Sequence, residues 1–138
     1  MAYIDTSVLV AYYCPEPGSE AAQRAVHEGQ PDISALTEVE FSSAVATKVR
    51  TGEMPATGAD RVLAMFEQHV AAGSYRVLPL GPGQFRLARQ WIGRRAVPLR
   101  TLDALHLAVA ASASVPLVTA DAVLARAAAC FGVDCQLL

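Results

Sequence analysis

Apolar positions along the chain switch between two rhythms. Ala2-Tyr3-Ile4 is a short unbroken apolar run that stops at Asp5, and it predicts a buried strand. A very apolar helical segment follows from Ser7 to about Tyr13, and Pro15 and Pro17 break it. Helices are then expected over Ser19 to His27, closed by Gly29, and over Thr37 to Arg50, stopped by Gly52. The next opens at Pro55 or Thr57, runs to about Ala72 and ends at Gly73. Gly81-Pro82-Gly83 turns into a helix ending near Arg95, Thr101 caps one reaching about Ala113, and Val123 to Cys130 forms another. Between them, Asp32 to Ser34, Arg76 to Leu80, Pro116 to Thr119 and Val133 to Leu137 are expected to be strands.

The strand cores are apolar without alternation, which means that both of their faces are covered. Strands separated by helices in this way predict a three-layer α/β/α sandwich around a mainly parallel sheet of about five strands. No repeat, linker or low-complexity tract interrupts the pattern, and 138 residues suit a single domain spanning 1–138.

Composition adds three exclusions. An apolar share of 53% against 17% charged residues excludes disorder. The cysteines, Cys14, Cys130 and Cys135, are odd in number and form no CxxC pair, which fits a reducing, cytoplasmic setting rather than a disulfide scaffold or a zinc ribbon. The N-terminus lacks the basic start of a signal peptide, and no apolar run approaches the roughly eighteen residues of a membrane span. A mean hydropathy of +0.31 hints at surface buried against partners. Net charge is only −2, yet Arg76, Arg86, Arg89, Arg94, Arg95 and Arg100 concentrate more than half of the eleven basic residues in one region.

In a right-handed βαβ fold, the carboxyl ends of the strands and the first turns of the following helices share one rim. Asp5 follows the first strand and Asp121 the Leu117-Val118-Thr119 strand, while Glu40 and Asp103 fall in the first turns expected for their helices. Each acid taken singly suits a helix cap: Asp5 and Asp121 as N-caps, Glu40 closing a capping box opened by Thr37, and Asp103 facing the helix dipole. Convergence would separate a site from four caps. Two carboxylates about 4 Å apart repel by about 4 kcal/mol at an effective dielectric near 20, so a shared pocket calls for a hard cation such as Mg²⁺ or Mn²⁺. Such an ion activates water and steadies a phosphodiester transition state.

Tyr3-Ile4-Asp5-Thr6-Ser7, Leu36-Thr37-Glu38-Val39-Glu40-Phe41, Leu102-Asp103-Ala104-Leu105-His106-Leu107-Ala108 and Leu117-Val118-Thr119-Ala120-Asp121 resemble, in order and spacing, the four motif blocks of the PIN-domain nucleases. The likeness covers essentially the whole chain and extends to the VapC-type ribonuclease toxins of type II toxin–antitoxin operons. It implies a Mg²⁺- or Mn²⁺-dependent endoribonuclease that forms a homodimer and is neutralised by a VapB-type antitoxin. It also implies that Asp5, Glu40, Asp103 and Asp121 form the catalytic quartet, with Asp5, Asp103 and Asp121 as metal ligands. Thr6 and Thr119 match hydroxyl positions beside the first and fourth acids. Glu38, about 200° around the helix from Glu40, competes for the second acidic position, and the Glu40-Phe41-Ser42-Ser43-Ala44 continuation favours Glu40.

Arg94, Arg95 and Arg100 bracket the segment leading to Asp103, where guanidinium groups would grip an RNA backbone; a solvated helix face is the plainer account. His106 lies one turn beyond Asp103 and is expected either to hydrogen-bond the acids or to be a buried histidine satisfied locally. Two other functions compete with a nuclease. A catalytically silent PIN-like partner-binding module would keep the fold without the chemistry. An aspartyl-phosphate protein of receiver or haloacid-dehalogenase type, with Asp5 as nucleophile, would want a basic residue after a late strand, whereas the lone lysine, Lys48, sits in an early helix.

Overall fold

The computed structural model describes residues 1–14 and 19–138; the expected helix break at Pro15 and Pro17 lies outside them. The elements run β1 (Tyr3–Ile4), α1 (Thr6–Tyr13), α2 (Ser19–His27), β2 (Asp32–Ile33), α3 (Ala35–Arg50), α4 (Ala56–Ala71), β3 (Arg76–Val77), α5 (Pro82–Gly93), α6 (Thr101–Ser112), β4 (Leu117–Thr119), α7 (Ala122–Cys130) and β5 (Cys135–Leu137). The strands form one sheet in the order β3-β2-β1-β4-β5, and every pairing is parallel.

Alternation along each short strand sorts side chains between two cores. Tyr3 and Leu117 face a layer built from α5, α6 and α7, where Leu105, Leu107, Trp91 and Leu124 pack. Ile4, Ile33 and Val118 face the opposite layer of α1 to α4, with Leu9, Phe41 and Phe66. Each large side chain removed from water there contributes about 1.5–3 kcal/mol. From Ala104 to Ala110, α6 is buried at every position, as its unbroken apolar run demands. Phe66 also belongs to the core, 4.8 Å from Phe41 ring to ring, so the apolar stripe of α4 mostly faces inward.

Two local expectations change. Helix α3 begins at Ala35 rather than Thr37: Ser34 stands at its N-cap, and the Ser34 amide donates to the Thr37 hydroxyl at 3.2 Å. In α6, Arg100 takes the N-cap position and Thr101 is already helical, with the Ala104 amide donating to the Arg100 carbonyl at 2.9 Å. Gly73, at φ +77°, turns the chain out of α4 in the left-handed conformation a side chain resists. Arg76 leaves the basic cluster and acts within the sheet. Its Nε and Nη2 grip both oxygens of the fully buried Asp32 at 2.7 and 2.8 Å, tying β3 to β2.

Candidate active site

Strand order reverses between β1 and β4: the chain steps from β1 toward β2 and β3 on one side, and from β4 toward β5 on the other. A crevice opens outside the carboxyl ends of two such strands. Asp5 and Asp121 stand on its two lips.

Asp5 is 6% exposed. Its Oδ1 accepts from the Ser7 hydroxyl at 2.5 Å and the Val8 amide at 3.4 Å, which caps α1. Its Oδ2 accepts from the Thr119 hydroxyl at 2.8 Å, across the crevice. Ser7 spans the crevice too, because its oxygen accepts from the Ala120 amide at 3.0 Å. Burial raises the Asp5 carboxyl above its ordinary value, and the hydrogen bonds from Ser7 and Thr119, the charge of His106 and the Val8 amide only partly oppose it. A group in that condition lacks enough nearby positive charge. The lone lysine, Lys48, near the far end of α3, pairs with Glu53 at 3.4 Å, which does not suit aspartyl-phosphate chemistry at Asp5.

Glu40 is not a capping residue. Because α3 starts two residues early, Glu40 falls in its second turn, beyond the free amides a cap serves. Its Oε1 accepts from the Thr6 hydroxyl at 2.8 Å and from His106 Nε2, so both bonds fall on one oxygen and Oε2 is left for other work. Burial pushes the Glu40 carboxyl up, but the hydrogen bond and charge of His106, the Thr6 hydroxyl and the Arg100 charge outweigh it and hold the group below its ordinary value. His106, 2% exposed, is itself held from behind, since its Nδ1 lies 2.7 Å from the Tyr3 hydroxyl. That hydroxyl also meets Ser34 Oγ at 2.8 Å and Thr37 Oγ1 at 3.3 Å. A buried chain of polar groups therefore runs from the start of α3, through β1 and α6, to Glu40.

Asp121 caps α7 with Oδ1, which accepts from the amides of Val123 at 2.8 Å and Leu124 at 3.3 Å. Its own amide donates to Thr119 Oγ1 at 3.0 Å, so one hydroxyl links Asp5 to Asp121. Asp103 sits in the first turn of α6. Arg100 joins these two acids: Nε donates to Asp103 Oδ2 at 3.0 Å, and Nη2 stands 3.6 Å from Asp121 Oδ2.

Asp5, Asp103 and Asp121 are linked through Thr119 and Arg100, whereas Glu40 is held by Thr6 and His106 and makes no bond to the other three. Asp5 and Asp121 also stand at the N-caps of α1 and α7, as the capping reading expects. Among the described residues, no three Asp, Glu, His or Cys side chains stand as a ready metal cage. The donors still fit a hard divalent cation, since they are all carboxylate oxygens and Mg²⁺ takes one or two carboxylates beside its waters. The Arg94 guanidinium stands 5.9 Å from the centre of the Phe131 ring, and Arg95 is an exposed residue at φ +56° just past α5. His106 meets both expectations at once, buried and bonded to Glu40; Tyr3, Ser7 and Ser34 are additions of the structure, and only the Asp5-Thr6-Ser7 spacing, which suits a hydroxyl-to-carboxylate turn, signals one of them.

The profile of the PIN domain matches residues 2–129. The chain belongs to the PIN domain family. No curated protein sequence matches it. Among solved structures, the PIN fold of this chain is similar to FitAcB from Neisseria gonorrhoeae, with a TM-score of 0.71, 20% identity and coverage of 98% of this chain and 96% of that one. VapBC-5 from Mycobacterium tuberculosis, of the VapBC toxin–antitoxin family, aligns with a TM-score of 0.69, 18% identity and coverage of 99% and 98%. VapC20 of the same organism, a sarcin–ricin loop cleaving toxin, gives 0.69, 18% identity and coverage of 92% and 95%. At these identities the likeness is one of fold.

Proposed function

We propose that this PIN domain is a divalent-metal-dependent endoribonuclease, the toxin of a VapBC-type pair. The observation that supports the reading is that, in a PIN domain, Thr119 and Arg100 link Asp5, Asp103 and Asp121; Glu40 completes the proposed quartet. Asp5, Asp103 and Asp121 would hold Mg²⁺ or Mn²⁺, which supplies a polarised water and a counter-charge for the phosphate. The protein's own groups then have distinct roles. Thr119 and Ser7 fix the orientation of Asp5. Glu40, anchored through Oε1, presents Oε2 to orient the attacking water and take up its proton. The buried His106–Tyr3 pair keeps Glu40 from turning away.

A VapB-type antitoxin belongs to the same proposal, supported by the fold shared with VapBC-5, a member of a toxin–antitoxin family; a second copy of the chain and a cytoplasmic setting complete it. No helix among the described residues is long and apolar enough to cross a membrane. Arg94, Arg95 and Arg100 are proposed RNA contacts, and Arg100 would have to leave Asp103 and Asp121 to reach a phosphate. The test is cleavage of a structured RNA with Mg²⁺ or Mn²⁺, with chelator, and by Asp5→Asn and Asp103→Asn. The expected result is activity only in the unaltered protein with cation; cleavage that survives both chelator and substitution overturns the reading. The competing silent module would bind a partner while showing no cation-dependent change in stability.

A further inference from the structure

Arg100 differs from every other basic residue near the rim. Its side chain is 80% exposed, yet the head turns back onto the acids, with Nε 3.0 Å from Asp103 Oδ2 and Nη2 3.6 Å from Asp121 Oδ2. Its charge also acts on Glu40. Arg76 offers a contrast within the same molecule: it forks onto both oxygens of one buried carboxylate, the geometry of a structural pair. Arg100 instead straddles two carboxylates from different segments, one at the start of α6 and one at the start of α7, and spends a single nitrogen on each. A guanidinium keeps its proton at any working pH, so this positive charge cannot be titrated away and leaves only by moving.

We propose that Arg100 is an internal counter-cation: it neutralises Asp103 and Asp121 in the metal-free protein and must swing aside for a divalent cation to reach them. The inference rests on the metal-dependent reading above and adds a regulatory step to it. An exposed arginine stem is free to rotate, a surface pair of this kind is weak, and the two targets are acids that a doubly charged ion would share. Cation loading is then a competition inside the protein. The site fills only when free cation rises far enough to displace the arginine, and Arg100 sets that threshold.

The test measures Mn²⁺ affinity directly, by electron paramagnetic resonance of the unbound ion, for the unaltered protein, Arg100→Gln and Arg100→Lys. Melting temperature in chelator is recorded alongside. Competition predicts that Arg100→Gln binds Mn²⁺ at least fivefold more tightly, melts lower in chelator and gains more from the ion. Arg100→Lys, which keeps the charge, should stay within twofold of the unaltered protein. Equal affinity in all three proteins overturns the proposal alone. Weaker binding by Arg100→Gln also overturns it and makes Arg100 a positioning clamp. Absence of binding in every variant overturns the proposal together with the metal-dependent reading.

Discussion

The Thr119 hydroxyl donates to Asp5 Oδ2 at 2.8 Å, joining the end of β4 to the residue that follows β1. The same oxygen accepts from the Asp121 amide, so one fully buried side chain fixes two acids of the rim. Thr119→Val keeps the shape and removes both bonds. A buried carboxylate oxygen and a backbone amide then lose their partner, at a cost of about 1–3 kcal/mol. Urea unfolding should show that loss, and cleavage should fall further than stability does because Asp5 is no longer held. A variant with unchanged stability and unchanged cleavage contradicts this role.

His106 reaches Glu40 through one nitrogen and Tyr3 through the other. His106→Gln shortens that reach and leaves the Tyr3 hydroxyl and Glu40 Oε1 each short of a partner. Loss of a group that orients a catalytic carboxylate typically costs on the order of 10–100-fold. We expect a fall of that size in kcat with KM for RNA nearly constant, since His106 is buried and cannot touch the substrate. A change confined to KM would contradict a positioning role.

Much of this site is legible in the sequence, for stateable reasons. Asp5 and Asp121 follow apolar runs that parallel topology places at one edge, and Thr119 closes the last residue of such a run, so all three positions follow from strand order. Glu40 was legible as a residue and not as a situation. Thr37 resembles the opening of a capping box, but Ser34 takes the N-cap and shifts the helix start, which frees Glu40 from capping. The His106–Tyr3 contact joins residues far apart in sequence, and no local spacing encodes it. The pairing of Arg100 with Asp103 and Asp121 is not written in its basic cluster: the direction taken by a long exposed side chain is set by the charges around it, and those are fixed only once α6 and α7 meet.

The buried Asp5 carboxyl makes a prediction with a definite sign. Its folded value lies above the ordinary 3.8, so the folded protein holds this proton more tightly than the unfolded chain. Stability therefore declines as pH rises from the unfolded value toward the folded one, and the penalty persists above that window. Asp5→Asn removes the ionisation. In chelator at pH 7 it should melt above the unaltered protein, and the difference should fade as pH falls below the ordinary aspartate range. A lower melting point for Asp5→Asn at pH 7 contradicts a site that is strained without its cation.

Cation addition should reverse that order. An ion that binds only the folded state stabilises it by about 2.7 kcal/mol at a hundred times its dissociation constant, or roughly 10 °C for a chain of this size. The unaltered protein should show that rise with Mn²⁺ and lose it with chelator. Asp5→Asn and Asp103→Asn should show a rise smaller by at least half, because each removes a charge from an all-oxygen donor set. Calorimetric scans at constant ionic strength, with Na⁺ replacing Mn²⁺, separate site binding from general screening, which acts on all three proteins alike. An equal rise in all three would place the ion elsewhere on the surface. No rise in any of them would favour the silent partner-binding module over the nuclease.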